Sequence, residues 1–433
     1  MKNSKSKIPV HVVLLVFLIF LGACARHDST QNTAPEGTLG FGAVGTGLAT
    51  VIPQDSVPLE ITPKPLLWPQ NLQCSLDSML KDSLLATTQL GLCVYDLTAD
   101  SLLFAYNPKH RMRPASTQKI ITAVTALDLL GDKYKVCTRL CITGELKSST
   151  LYGDVYVIGG FDPCFNQEDM KVLVRELRKA GIKSVDGNCY ADVSMKDSLK
   201  WGSGWCWDDK NPTLTPLIYK RRDAFLSALR AEMKRQGVSC FKRFRKGICP
   251  PEARCLYTHS RSIQEVLHDM MKESDNLYAE ALFYAVAAHE GEHFAGRKQA
   301  VQHIHNLISK MGYIPTNYHV ADGSGLSLYN YVSAELEVAF LRYAHKSSHI
   351  FPSFYASMPI SGIDGTLKNR MQTSAAYQKV RAKTGTVKGV SSLAGYATAS
   401  NGHLLAFCII NQGVAPLSLG RNYQDKLCEL FCR

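Results

Sequence analysis

Three short polar motifs, spread over most of a 433-residue chain, set the strictest limit on how it can fold. Ser116-Thr117-Gln118-Lys119 opens a stretch whose apolar residues Ile120, Ile121, Val124, Leu127 and Leu130 fall on one helical stripe, with Gly131 as a natural stop. Ser274-Asp275-Asn276 follows a second amphipathic stretch that starts at Ile263 and carries Val266, Leu267, Met270 and Met271. Lys383-Thr384-Gly385 lies in a strand-like run. A chain that uses all three motifs at one point must bring two helices and a strand together.

The residue types explain why they would meet. Residues i and i+3 of a helix share a face, so Lys119 sits beside the Ser116 hydroxyl. An unactivated serine is a poor nucleophile and needs an adjacent base. An amine is a base only when neutral, which burial and a second cation both favour. Lys383 is the candidate second cation, and with Thr384 it can hold a terminal carboxylate. The Ser274 hydroxyl can relay a proton to a departing amine, Asn276 offers an amide to a substrate backbone, and Gly385 lets the strand approach closely. The backbone N–H groups of Ser116 and Thr386 are the natural pair of donors for an oxyanion. Ser-x-x-Lys by itself carries little weight, since it also begins at Ser4, Ser78 and Ser239. Only the copy at Ser116 opens an amphipathic helix with the other two motifs downstream.

Around the motifs, helical spacing begins at Ser75, and residues 90–97 and 101–106 read as a hairpin. Residues 380–385, 390–399 and 404–410 read as three strands, followed by a helix carrying Tyr423, Leu427, Leu430 and Phe431. Hairpin first, helices in the middle, strands and a helix last predict an α/β (α+β) chain with an antiparallel sheet covered by helices. Residues 132–255 look like one inserted domain, dividing the main domain into residues 71–131 and 256–433.

The ordered trio is that of serine β-lactamases and penicillin-binding proteins. From about residue 90 to its end the chain resembles the class C low-molecular-mass penicillin-binding proteins, the D-alanyl-D-alanine carboxypeptidase/endopeptidase family. Gly159-Gly160-Phe161-Asp162-Pro163, Gly204-Trp205-Cys206-Trp207-Asp208-Asp209, Ala321-Asp322-Gly323-Ser324-Gly325-Leu326-Ser327 and Gly365-Thr366-Leu367 extend the resemblance. It implies a β-lactamase/DD-peptidase-like fold, an acyl-enzyme at Ser116, peptidoglycan stem peptides as substrates and β-lactams as covalent inhibitors. It implies no metal and no organic cofactor. It also gives Asp162 the role of meeting a side-chain amine of the substrate. The separation between the first two motifs is shorter than the family's, so one of two inserted domains is expected to be missing.

The N-terminus reads as an address. Lys2, Lys5 and Lys7 precede an apolar stretch of residues 8–21, then Leu21-Gly22-Ala23-Cys24. Residues 1–23 are read as a signal peptide that resembles a lipoprotein leader, Cys24 as the lipidated residue, and residues 24–70 as a flexible tether. The expected location is the bacterial envelope, periplasmic and lipid-anchored. Without Lys2, Lys5 and Lys7 the net charge of +12 becomes 12 − 3 = +9, which suits an anionic wall or simply a soluble surface, and no basic run interleaved with aromatics supports nucleic-acid binding. Thirteen of the 14 cysteines follow Cys24, and their spacing assigns no pairs. His289-Glu290-Gly291-Glu292-His293 has zinc-peptidase spacing, but Gly291 falls where a helix is ending, so no metal site is read there. A β-lactamase would share the trio, yet no Glu-x-x-Leu-Asn run lies between Ser274 and Lys383. A silent wall-binding relative would have no chemical need for Ser116, Lys119 and Lys383 together.

Overall fold

The structure, a computed structural model, describes residues 67–209 and 211–433. The expected signal peptide, Cys24 and nearly all of the tether lie outside the described residues. Order sets in earlier than Ser75. Helix α1 (Gln70–Met79) buries Leu72 and Leu76, one turn apart, and Trp68 already packs against the same cluster. The fold is therefore already under way at residue 68.

Strands β1 (Gln89–Asp96) and β2 (Ser101–Tyr106) form the expected hairpin. They join β12 (Val380–Val387), β13 (Val390–Thr398) and β14 (Leu404–Gln412) in an antiparallel sheet of order β12-β13-β14-β1-β2. Side chains alternate between faces of a strand, and here both faces are covered. Leu92, Val94, Leu405, Phe407 and Ile409 pack beneath α1 and α10 (Leu417–Phe431). Cys93, Tyr95, Ala406, Cys408 and Ile410 pack on the opposite side. There they meet α2 (Gln118–Leu130), α6 (Asn276–Ala287) and α8 (Ala334–Lys346). Burial on both faces explains why β14 reads as an almost unbroken apolar run.

The insertion holds two sheets over one apolar cluster. The first contains β3 (Lys135–Ile142), β6 (Val155–Gly159), β8 (Cys189–Asp192), β10 (Phe244–Lys246) and β11 (Arg254–Ser262), in the order β10-β8-β6-β3-β11. The second contains β4 (Glu145–Lys147), β5 (Thr150–Tyr152), β7 (Ser184–Val185) and β9 (Ser239–Cys240), in that order. Helices α3 (Gln167–Lys179) and α4 (Phe225–Arg235) close the cluster. The expected boundary at residue 255 falls inside β11, which pairs with β3 as far as Ser262. Ser262 then caps α5 (Ile263–Lys272) through a capping box with Glu265. The β3–β11 pairing thus runs to Ser262, and strand passes into helix without a linker.

Helices α7 (Arg297–Lys310) and α9 (Phe351–Ser357) complete the helical layer. α6 is its centre, and every residue from Leu277 onward is buried. Phe161, Leu214 and Ile218 of the insertion share the cluster around α2 and α6, which seats the inserted domain beside the motifs.

Candidate active site

Ser116 lies in a 3-10 turn, Ala115–Thr117, that leads into α2. Ala115 just before it holds φ of 51°, and Ser274 holds 60°. These are left-handed conformations that non-glycine residues enter at a cost. Both turns are pinned from outside. Thr117 Oγ1 donates to Glu337 Oε1 at 2.6 Å, and Asp275 caps α6 by accepting from Leu277 N at 2.9 Å. Arg221 of the insertion grips the Asp275 carboxylate with two guanidinium nitrogens, at 2.8 and 3.0 Å.

Lys119 Nζ lies 2.9 Å from Ser116 Oγ and donates to Asn276 Oδ1 and to the Ser324 carbonyl, both at 2.7 Å. Lys383 Nζ lies 2.7 Å from Ser274 Oγ and donates to its neighbour's carbonyl, Thr384 O, at 2.8 Å. The two lysines are fully buried, whereas Ser116, Ser274 and Thr384 stay partly open. All three motifs meet here.

Burial sets the protonation of this site. Desolvation brings the Lys119 amine down to about 8, against the opposing pull of Asp322, Glu280 and Asp275. Desolvation, helped by Lys119, carries Lys383 well below the usual lysine range. Glu280, buried one turn after Asn276 on α6, is pushed up to about 8 by burial and by Asp322.

Gly385 is required by space. A Cβ there would stand 2.0 Å from Ser392 Oγ, 2.6 Å from Pro114 O and 3.0 Å from Ser116 N, so the strand lies directly on the serine turn. Strand geometry also orients Thr386. Ala382 N bonds outward to Pro359 O, away from β13, and alternate residues share that direction. Thr384 and Thr386 therefore turn their N–H groups to the open edge of β12. Thr384 Oγ1 donates to Thr366 Oγ1 at 2.8 Å.

Two residues of the site have partners that the motifs do not show. Asn276, expected to offer its amide to a substrate backbone, also accepts from Lys119 through Oδ1. Asp162 is 1% exposed, and its Oδ2 faces Arg261 Nε at 3.6 Å and His259 Nε2 at 3.4 Å. A substrate amine reaching Asp162 would come in beside Arg261 and His259. The distances are ionic contacts rather than hydrogen bonds: Asp162 Oδ2 and Arg261 Nε are both buried without a bonded partner. His289 and His293 lie past the end of α6, where Gly291 at φ 78° separates them, and so do not share a helical face.

Sequence reasoning missed the loop beneath Lys119. Asp322 accepts from Gly325 N, Ser327 N and Asn330 Nδ2, and Glu280 accepts from Gly323 N and Ser324 N. This fixes the Ser324 carbonyl under the amine. Gly325, at φ 80°, lets the loop touch the serine turn, since a Cβ would stand 1.8 Å from Ala115 O. The Asp-Gly-Ser-Gly run was visible as a resemblance without a physical role. The i, i+4 spacing of Asn276 and Glu280 was the available signal.

The chain matches the D-Ala-D-Ala carboxypeptidase 3 (S13) family over residues 72–220 and 218–431. It is 25% identical to the D-alanyl-D-alanine carboxypeptidase DacB of Haemophilus influenzae over 408 residues, covering 74% of this chain and 84% of that one. It is 26% identical to the D-alanyl-D-alanine carboxypeptidase of Actinomadura sp. strain R39, covering 83% and 84%. Among solved structures, penicillin binding protein 4 (dacB) from H. influenzae superposes with a TM-score of 0.75 at 23% identity, over 84% of this chain and all of that one. This likeness shows that the two share a fold.

Proposed function

This chain belongs to the D-Ala-D-Ala carboxypeptidase 3 (S13) family, and on that footing we propose that it is a serine-type D-alanyl-D-alanine carboxypeptidase acting on peptidoglycan stem peptides through an acyl-enzyme at Ser116. One observation carries the reading. Two of the three contacts of the Lys119 amine are to oxygens that only accept, Asn276 Oδ1 and Ser324 O. A neutral amine has two N–H bonds and one lone pair, so the lone pair is left for the Ser116 hydroxyl. The amine near 8 is neutral in an appreciable fraction of molecules at neutral pH.

Lys119 takes the hydroxyl proton as Ser116 Oγ bonds to the carbonyl carbon of the penultimate D-alanine. The oxyanion forms between the N–H groups of Ser116 and Thr386, where one such donor contributes about 3–4 kcal/mol to the transition state. The carbon–nitrogen bond then breaks, and the leaving amine takes a proton from Ser274 Oγ, which Lys383 resupplies. Thr384 and Thr366 offer hydroxyls to the C-terminal carboxylate. Arrival of that anion restores charge to Lys383. Lys119 gives its proton to solvent, takes another from the water that attacks the ester, and returns it to Ser116 Oγ as the acyl bond breaks, while Lys383 regains its proton from solvent. Endopeptidase action uses the same steps with a cross-linking amine as leaving group.

The same machinery accounts for covalent inhibition by β-lactams, whose ring amide would acylate Ser116. The wall substrate places the enzyme outside the cytoplasm. Residues 1–23 are the proposed signal peptide and Cys24 the proposed lipid anchor. The stretch that follows would act as a tether up to about Trp68. Among the described residues no helix is long and apolar enough to cross a membrane. Fluorescent penicillin tests the proposal: the wild type should label on the peptide containing Ser116, and Ser116→Ala should not. An adduct mapped to any other serine would overturn it.

A further inference from the structure

Cys189 and Cys240 stand on different sheets of the inserted domain. Cys189 opens β8 in the five-stranded sheet, paired with Val155 and Phe244. Cys240 ends β9 in the four-stranded sheet, paired with Val185. Among the described residues nothing in the strand pairing joins the two sheets across this point. Yet the sulfurs lie 3.4 Å apart, between residues 51 positions apart along the chain. Cys189 is fully buried, with its sulfur 3.9 Å from Met233 Sδ, and Cys240 is half-buried and points at Gly187 O. We propose that Cys189 and Cys240 form a disulfide in the exported protein, fastening the two sheets of the inserted domain together.

The proposal rests on the envelope location proposed above, because a reducing compartment would keep the thiols apart. The chemistry needs a disulfide-bearing oxidant and an accessible thiolate. Cys240 is the accessible partner, and the hydrogen bond from Cys189 lowers its thiol to about 7. That same contact, and then burial, hold Cys189 as the thiol. Cys240 attacks the oxidant's S–S bond, forming a mixed disulfide and releasing one thiolate. Cys189 then loses its proton and attacks Cys240 Sγ, releasing the second thiolate. Two thiols are oxidised, one disulfide is reduced to two thiols, and the two protons pass to the released thiolates.

The closed loop contains the 199–209 segment, including Trp205, whose indole reaches the loop beneath Lys119. The staple would thus restrain, in the unfolded chain, the part of the insertion that touches the active site. Other thiols supply a built-in competitor: Cys141 faces Cys255 across the β3–β11 pairing.

The test uses the whole protein in buffers of graded reduced and oxidised glutathione, with alkylation, proteolysis and mass mapping. The expected product is one cross-linked peptide joining Cys189 to Cys240, lighter by two hydrogens than the reduced pair. Reduction should lower Tm by on the order of 5 °C. Cys240→Ser, at the half-exposed partner, should abolish that redox-dependent shift while leaving penicillin labelling within about twofold of wild type. If both thiols alkylate at every glutathione ratio, or if Cys189 links to a different cysteine, the proposal fails. The same mapping on protein recovered from cells separates the two readings. Cytoplasmic recovery would sink the location while the glutathione series still decides the pair. Recovery from the envelope with both thiols free would sink the disulfide and leave the enzyme assignment standing.

Discussion

The indole of Trp205 donates to Asp322 Oδ2 at 2.7 Å, tying the inserted domain to the loop whose Ser324 carbonyl holds Lys119. Asp322 is 1% exposed and receives four hydrogen bonds in all, from Trp205, Gly325, Ser327 and Asn330. Asp322→Ala would strand those donors inside the protein. A loss of roughly 3–5 kcal/mol in unfolding free energy is expected, the range for breaking a buried charged network. Urea unfolding measures it, and Trp205→Phe, which removes one of the four bonds, should cost far less.

The rate of acylation should rise with pH. Protonated Lys119 has no lone pair, so the competent fraction grows as pH increases toward the amine value of about 8 and levels above it. Well below that value the rate should climb about tenfold per pH unit. Stopped-flow acylation by a chromogenic cephalosporin gives the profile. A rate that falls between pH 6 and 8 would contradict a neutral-amine base.

Gly385→Ala places a methyl carbon against Ser392 Oγ, Pro114 O and Ser116 N. Two of those atoms belong to the backbone of the serine turn, so relief requires moving the nucleophile or the strand. The expected cost is about 1–3 kcal/mol in stability. Penicillin labelling should drop by more than tenfold, because the strand edge and Ser116 no longer approach as closely. Denaturation and labelling measured on one preparation check both.

Thr384→Val removes the hydroxyl that bonds to Thr366 Oγ1 at the open edge of β12. Loss of one hydrogen bond to a charged group should raise KM for D-alanyl-D-alanine peptides by about tenfold. The change in kcat should be smaller, since in the proposed mechanism the hydroxyl meets the carboxylate in ground and transition states alike. Release of D-alanine at varied substrate concentration separates the two parameters.

Much of the scaffold was legible because its periodicities are strong. The capped helix at Ile263, the stop at Gly131 and the strands of the C-terminal meander stand where the spacing predicts them. Boundaries were less legible. β11 alternates weakly, and its partly exposed residues gave no sign that it continues to Ser262. α1 was dated too late because Trp68 and Pro69 sit in a Pro-rich approach that reads as linker.

The sequence by itself determined the chemical kit: a serine beside a lysine on one helical turn, a second serine at a helix start, and a lysine-threonine-glycine strand. Local periodicity dictates those placements. Only the tertiary structure decided what each group faces, and so its charge. A partner 157 residues away takes one proton of Lys119, and another 205 residues away takes a second. Arg261 is likewise brought beside Asp162 from a distant strand, β11. Protonation depends on burial and on neighbours brought from distant segments, and no local spacing encodes either.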